Sequence, residues 1–402
     1  MKMPARGGRG LMRVVPSGAI FDLPSRSTSM SHFRRLSTSE SAQLDSARGF
    51  SALVVAVAHT NQFIVAPVFS KWAPALGLLA QSAVMVFFVL SGFLIGKSIS
   101  ANEARNNGKF SALDYGVDRL VRIWPPLALS IGGLVALAWI APFFFPSGTA
   151  SFLQLDGQAP GRVGIEIDRN ELLGALFCLN GYLTDTPRSN GPLWSLSIEV
   201  GYYVVAGVVA IPRAWWKLAS VPVVAGLCWL AWNNDQFFYY APVWCLGYGL
   251  SVLHDRGTSL PKSLLIWCAA ISVACAAYAG HRSIVEPDAR SAWHALVAFN
   301  LLIGLAFGCL LAMVLAGAVT LPATFKSAAS YSYTLYVIHT PLLLFFFGVT
   351  QAFIGPSIWR AMLIAAGSIA AVVLAARWSA KFVESLPMQA IKKRRTPPVF
   401  GT

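Results

Sequence analysis

The chain has 402 residues, of which 56% are hydrophobic and 12% are charged, about half the charged share of a soluble globular protein. The apolar residues form long runs and are too many for one core, so the composition excludes a water-soluble enzyme and indicates an integral membrane protein. The 31 Lys and Arg against 17 Asp and Glu would suggest nucleic-acid binding in a soluble chain, but in a membrane protein such an excess usually reflects topology.

The N-terminal segment, residues 1–46, is rich in Ser, Arg and Gly and lacks the apolar stretch of a secretory signal, which predicts a disordered basic cytosolic tail. Apolar segments of near-spanning length follow, so we predict an all-α polytopic membrane domain over residues 47–388 and a basic cytosolic tail over 389–402. The ten predicted spans are 50–68, 76–96, 121–143, 193–212, 218–232, 238–253, 263–280, 296–318, 331–351 and 359–380.

The basic residues predict the orientation of these spans. With both termini in the cytosol, 24 of the 31 Lys and Arg lie on the cytosolic side and 7 outside. This asymmetry agrees with the positive-inside rule, so the positive charge needs no nucleic-acid partner. The longest outside loop, about 144–192, is longer than most connectors, and its residues 171–182 are apolar enough to form a short interfacial helix.

The helix of the first predicted span carries Arg48 just before the apolar run and His59 within it. Eleven residues make three helical turns, so the two side chains share one face, with His59 about 16 Å above Arg48. An ionisable residue at that depth is costly unless it is paired or hydrated, and a histidine there can act as a base. A histidine hydrogen-bonded to a neighbouring helix is the competing interpretation.

Arg119 and Arg122 stand three residues apart at the start of the third span. Two guanidinium groups on one helix face suit bidentate binding of phosphate or carboxylate, although two ordinary cytosolic anchors would look the same.

Ser195 and Glu199 share a helix face in the fourth span, next to Trp194. On the predicted topology Glu199 lies about 9 Å below the outer surface, where it would pair with a cation, hold a substrate hydroxyl or stay protonated.

Tyr336 and His339 are also neighbours on one helix face, about 12 Å into the ninth span for His339. That depth nearly matches the depth of His59. Two histidines above two groups of arginines predict one polar cavity that opens to the cytosol and takes a phosphate-bearing ligand.

The remaining polar residues point to no further site. The six cysteines have no metal-ligand spacing, so we expect no metal. His254 and Asp255 read as a solvated loop, and Ser91-Gly92 as small-residue helix packing.

Taken in order, these segments resemble the membrane-bound acyltransferase 3 family, whose members O-acylate surface polysaccharides and other extracytoplasmic acceptors. The resemblance covers about residues 44–388. The segments that carry it are 44–49 followed by His59, 87–95, 119–125, 191–199, 333–341 and 383–387. One departure is Val200-Gly201-Tyr202-Tyr203, where many members have a second acid and Gln-Phe-Tyr, so the acceptor preference of those members is not carried over.

The resemblance implies a bacterial inner-membrane O-acyltransferase with no bound cofactor, which uses acyl-CoA, with acetyl-CoA as first choice, as co-substrate and a glycan as acceptor. His59, Glu199 and His339 would then be catalytic. Arg48, Arg119 and Arg122 would bind acyl-CoA, and Ser195, Trp194 and Tyr336 would bind substrate. Partners besides the bilayer would be a second copy or polysaccharide-assembly proteins. The competing hypothesis is a transporter or flippase of a lipid-linked sugar, with His59, Glu199 and His339 as a proton relay.

Overall fold

The computed structural model describes residues 33–145, 165–211 and 214–389. Within these ranges the chain is helical and contains no β-strand. The eleven α-helices there are α1 (Thr38–Thr60), α2 (Ala73–Arg105), α3 (Ala112–Phe144), α4 (Arg169–Leu176), α5 (Leu193–Val209), α6 (Ala214–Leu230), α7 (Asp235–Asp255), α8 (Lys262–Val285), α9 (Ala289–Leu315), α10 (Ser332–Ile354) and α11 (Ile358–Ala380).

Each of the ten predicted spans corresponds to one of these helices, and α4 begins two residues before the predicted interfacial helix and ends at Leu176. Six helical segments in the described part of the chain are long and apolar enough to cross a membrane. They are Ser70–Arg105, Ala112–Phe144, Lys262–Val285, Ala289–Leu315, Ser332–Ile354 and Ile358–Gln389. The described residues therefore confirm an all-α architecture with several helices that could span a membrane.

Helix α1 begins earlier than the sequence analysis predicts. A capping box starts it: the Ser37 hydroxyl accepts from the Glu40 N–H at 3.2 Å, and the Glu40 carboxylate accepts from the Ser37 N–H at 2.7 Å. The predicted disordered tail is thus wrong for residues 38–46, which are helical. Residues 1–32 of that tail and residues 390–402 of the C-terminal tail lie outside the described residues.

Helices α1, α3 and α10 run in the same direction through the centre of the molecule. Arg48 contacts Ala329 just before α10, and His59 of α1 contacts His339 further along α10. The end at which these three helices begin is called the lower end here, and the end at which they finish is the upper end. Helices α2 and α5 run downwards between them.

Pro341 inside α10 determines how the neighbouring segments are joined to that helix in the upper half of the bundle. A proline has no N–H, so the carbonyl of Val337, four residues earlier, has no helical partner. Two buried side chains use that carbonyl: the Ser130 hydroxyl of α3 donates to it at 2.5 Å, and the Asn190 amide donates to it at 2.9 Å. The segment before α5 is thereby attached to α3 and α10.

Small residues bring α2 and α7 into close contact. A Cβ atom at Gly92 would overlap the carbonyl oxygen of Trp244, and one at Gly247 would overlap the carbonyl oxygen of Val89. The expectation that Ser91-Gly92 serves helix packing is confirmed. Ser91 also accepts a hydrogen bond from the Trp244 indole at 3.2 Å.

A buried charge cluster joins the lower ends of α1, α2 and α7, where Nε2 of His254 lies 3.5 Å from a carboxylate oxygen of Glu40. Lys97 forms an ion pair with Asp255 and donates to Nδ1 of His254 at 3.2 Å. Burial, followed by the nearby Lys97 ammonium, lowers the pKa of His254, which agrees with an imidazole nitrogen that accepts. The sequence interpretation of His254 and Asp255 as a solvated loop is wrong, because both side chains close the lower end of α7 against α2.

We predict that Gly247→Ala lowers the free energy of unfolding by about 1–3 kcal/mol, the usual cost of overpacking, because the new methyl group meets the α2 backbone. Thermal unfolding of the protein in detergent would measure the loss. Gly249→Ala is the matched control: it adds the same methyl group two residues away, where no atom lies within 4 Å. Equal unfolding temperatures for the two variants would contradict the prediction.

Candidate active site

Three arginines meet in a cavity of about 280 Å³ at the lower end of the bundle. Arg48 comes from α1, and Arg119 and Arg122 come from α3. We call this the arginine cavity. It confirms that the two groups of arginines, which are distant in the sequence, face one space.

Fixed contacts hold two of the guanidinium groups. Arg48 donates to the carbonyl of Ala329 at 3.0 Å and pairs with Asp45 at 3.3 Å. Arg119 donates to the Ser98 hydroxyl at 3.2 Å, and its guanidinium carbon lies 6.0 Å from the ring centre of Tyr203. The Nε atoms of Arg48 and Arg119 have no hydrogen-bond partner among the described residues.

Glu199 lies in the arginine cavity. Its carboxylate accepts hydrogen bonds from the Tyr203 and Ser91 hydroxyls, and it lies within electrostatic range of Arg122 and Arg119. Because α5 runs downwards from Leu193, the helix carries Glu199 away from the upper end and turns it towards α2 and α3. The expected position close to the outer surface, beside an acceptor, is therefore replaced by a position among the arginines.

Glu384 is a charged neighbour of this cavity that the sequence analysis did not assign to a site. It accepts from the backbone N–H of Thr334 at 2.8 Å and from its hydroxyl at 2.5 Å. It interacts electrostatically with Arg122 and Arg48. The sequence signal that could have found it is the family pattern of segment 383–387, which contains this acid.

His59 faces a second cavity, of about 460 Å³, at the upper end. We call this the histidine cavity. Its polar lining consists of His59, Gln62, Gln81, Arg188, Trp194, Tyr336 and Thr340. The single cavity predicted from the sequence is therefore two cavities at opposite ends of the central helices.

The wall between the two cavities is formed by Tyr336 and Val84, which line both. The Tyr336 phenol donates to the carbonyl of Pro192 at 3.0 Å and shares a hydrogen bond of 2.5 Å with the Ser195 hydroxyl. Ser195 lies on the arginine side and Trp194 on the histidine side. The three residues predicted to bind substrate therefore lie at or beside this wall.

Hydrogen bonds orient the two central histidines. Nδ1 of His339 lies 2.8 Å from the carbonyl oxygen of Tyr336 and 3.1 Å from that of Leu335, and because both are acceptors, Nδ1 carries the proton. Nε2 of His339 has no partner among the described residues. The ring centre of His339 lies 5.1 Å from that of His59. The two histidines are thus neighbours, as their matching depths suggested.

His59 is oriented by Gln62, which belongs to the π-helical turn Asn61–Val65. Nδ1 of His59 lies 3.0 Å from Oε1 of Gln62. With Nδ1 donating to this oxygen, Nε2 is unprotonated and keeps its lone pair as a hydrogen-bond acceptor. A π-helical turn changes the direction of the helix end, and such turns are frequent at functional sites.

A family model described as an acyltransferase domain, that of the acyltransferase 3 family, matches residues 41–377. Because the match covers most of the chain, the chain belongs to this family and is a multi-pass membrane acyltransferase. No curated protein and no solved structure matches it significantly.

We predict that Gln62→Leu lowers kcat roughly 10–100-fold with little change in KM, because His59 loses the acceptor that fixes its protonated nitrogen. Gln62→Glu keeps an acceptor oxygen and should retain most of the activity, with a shifted pH profile. Steady-state acyl-transfer assays across pH would separate the two. Equal losses in both variants, with an unshifted profile, would indicate a packing role only.

Proposed function

We propose that the protein transfers an acetyl or other short acyl group from acyl-CoA to a hydroxyl of a glycan, either a surface polysaccharide or a lipid-linked sugar. The observation that carries this proposal is the meeting of two cavities at Tyr336. One is rich in arginine and the other contains His59. A donor and an acceptor that approach from opposite ends would meet there.

The arginine cavity suits the donor. Arg48, Arg119 and Arg122 offer guanidinium groups to the phosphates of coenzyme A. A volume of about 280 Å³ is at the small end of ligand pockets. It fits the slender thioester arm, while the nucleotide would remain outside the cavity. The apolar side chains of Phe87 and Leu196 line the way to Tyr336.

His59 is the proposed catalytic base or acyl carrier. As a base, Nε2 takes the proton of the acceptor hydroxyl, the oxygen attacks the thioester carbon, and the carbon–sulfur bond breaks. The leaving sulfur takes the proton back from Nε2 and departs as the CoA thiol. As a carrier, Nε2 attacks the thioester carbon and the carbon–sulfur bond breaks to release CoA as the thiolate. The acceptor hydroxyl then attacks the acyl carbon, the carbon–nitrogen bond breaks to free Nε2, and the hydroxyl proton ends on the released thiolate. His339 packs against the His59 ring and limits its orientation.

Glu199 is proposed to act on the donor side. Its contacts with Tyr203 and its charge interaction with Arg119 and Arg122 favour a role in orienting the guanidinium groups that bind the phosphates of the donor. This replaces the acceptor-orienting role that the sequence suggested for it.

For the membrane arrangement we propose ten spans, with both termini and the lower end in the cytosol of a bacterium and the protein in the inner membrane. The 24 Lys and Arg assigned to the cytosolic side support this orientation. Acyl-CoA would then enter from the compartment in which it is made. The acceptor would enter from outside, and any oligomer or polysaccharide-assembly partner would join from there or from within the membrane.

The transporter hypothesis is not favoured. A relay through Glu199, His59 and His339 would have to cross the wall at Tyr336, and it gives the three arginines no role. The family is one of acyltransferases.

We predict that cells expressing the wild type carry an O-acyl mass shift on their surface glycans and that cells expressing His59→Ala at matched membrane abundance do not. Mass spectrometry of the glycans, with and without mild base, would measure it. His294→Ala removes an exposed histidine of α9 and serves as the matched control. The same O-acylation with His59→Ala would refute the catalytic role of His59.

We also predict that Arg119→Gln raises the KM for acyl-CoA about tenfold, the effect of losing one charge-assisted hydrogen bond. Initial rates at varied acyl-CoA and saturating acceptor would measure it. Arg256→Gln removes an equal charge from an exposed position at the lower end of α7 and should leave KM unchanged. Equal effects of the two substitutions would show that general surface charge, and not this cavity, attracts the donor.

A further inference from the structure

The polar lining of the histidine cavity has an unbalanced charge. Arg188 is a cation in that lining, and none of the described residues that line the cavity is Asp or Glu. We propose that the acceptor is a sugar that carries an anionic group, a carboxylate or a phosphate, and that Arg188 binds this group. The inference rests on the proposed function, because it names the class of glycan that the same site takes.

The backbone of Arg188 is held firmly although its side chain is exposed. It begins the 3₁₀ turn Arg188–Asn190, whose other two residues are fully buried. The Ser189 hydroxyl bonds both the N–H and the carbonyl of Glu166 at 3.1 Å. Asn190 donates to Ser130 and to the carbonyl of Val337. The guanidinium is therefore presented at the cavity from a fixed point and not from a loose loop.

Three acids of the same loop line a different cavity. Asp168, Glu171 and Asp185 line a separate cavity on the surface at the upper end. The Glu171 carboxylate accepts the backbone N–H of Arg188 and also attracts its guanidinium, so it fixes the turn without lining the histidine cavity. Within the lining of the histidine cavity itself, Arg188 is therefore the charged group that faces a ligand without an acid beside it in that lining.

Two further groups in the cavity suit a sugar. Trp194 offers an aromatic ring, and it is held by Tyr240 and Phe88, whose ring centres lie 5.9 Å and 6.4 Å away. Thr340 is buried, and its hydroxyl has no hydrogen-bond partner among the described residues. A buried hydroxyl without a partner is uncommon in a folded protein, and a hydroxyl group of the ligand would supply the missing hydrogen-bond partner.

The charge at Arg188 should decide between sugars of the same shape. Hydroxyl groups exchange bonds to water for bonds to protein, so they add little net affinity. A guanidinium binds a carboxylate or phosphate through two parallel charge-assisted bonds, which are roughly twice as strong as neutral ones. Neutral and anionic sugars would both fit around Trp194, and the anionic sugar would be preferred.

Binding to the full-length protein in detergent tests this without acyl-CoA. The probes are methyl β-D-glucoside, methyl β-D-glucuronide and glucose 6-phosphate, and the readout is tryptophan fluorescence supported by calorimetry. We expect one or both anionic sugars to bind about tenfold more tightly than the glucoside. Which of the two binds better distinguishes a carboxylate from a phosphate group. The preference should disappear in Arg188→Gln and persist in part in Arg188→Lys.

Arg169→Gln is the matched control, since it removes an equal charge from the exposed start of α4 in the same loop without altering the cavity lining. It should keep the preference. The proposal is overturned if neither anionic sugar binds, if the glucoside binds equally well, or if Arg188→Gln and Arg169→Gln have the same effect. Anionic-sugar binding without any acyl transfer would instead refute the proposed function and leave the binding site standing.

Discussion

The missing N–H of Pro341 is the constraint on which the two-cavity arrangement depends. It frees the carbonyl of Val337 inside α10, and Ser130 and Asn190 both donate to that oxygen. In a membrane interior an unpaired carbonyl is costly, so these bonds attach α3 and the segment before α5 to α10. That attachment brings the carbonyl of Pro192 within reach of Tyr336 and so forms the wall between the cavities.

The sequence was sufficient to locate the helices and most of the polar residues that matter. Long apolar runs predicted every long helix, because a spanning helix needs a continuous apolar surface. The shared face of Arg48 and His59 also followed from helical periodicity, although α1 extends further down than the apolar run suggested. Its first turns carry polar residues that contact the α9–α10 connection, so hydropathy gave no sign of them.

What the sequence could not give was the contacts between helices. Depth along a helix is readable from residue numbers, but the direction of a side chain towards one neighbour or another is not. Glu199 was therefore predicted close to the outer surface although it lies among the arginines, and one cavity was predicted where the wall at Tyr336 makes two. His254 was missed for the same reason, since its partner Lys97 is 157 residues away.

The two cavities also differ in how their charged side chains are placed, and this difference limits which part of a substrate has to pass between them. In the lower one Arg48 is paired with Asp45 and faces Glu384, while Arg119 and Arg122 face Glu199, so the charges within the bundle are largely compensated. In the upper one the guanidinium of Arg188 stays at the exposed rim. The charged end of the donor could therefore remain at the arginine cavity, and the charged end of the acceptor could remain beside Arg188. On the proposed function only the acyl carbon, the least polar part of either substrate, would have to pass Tyr336.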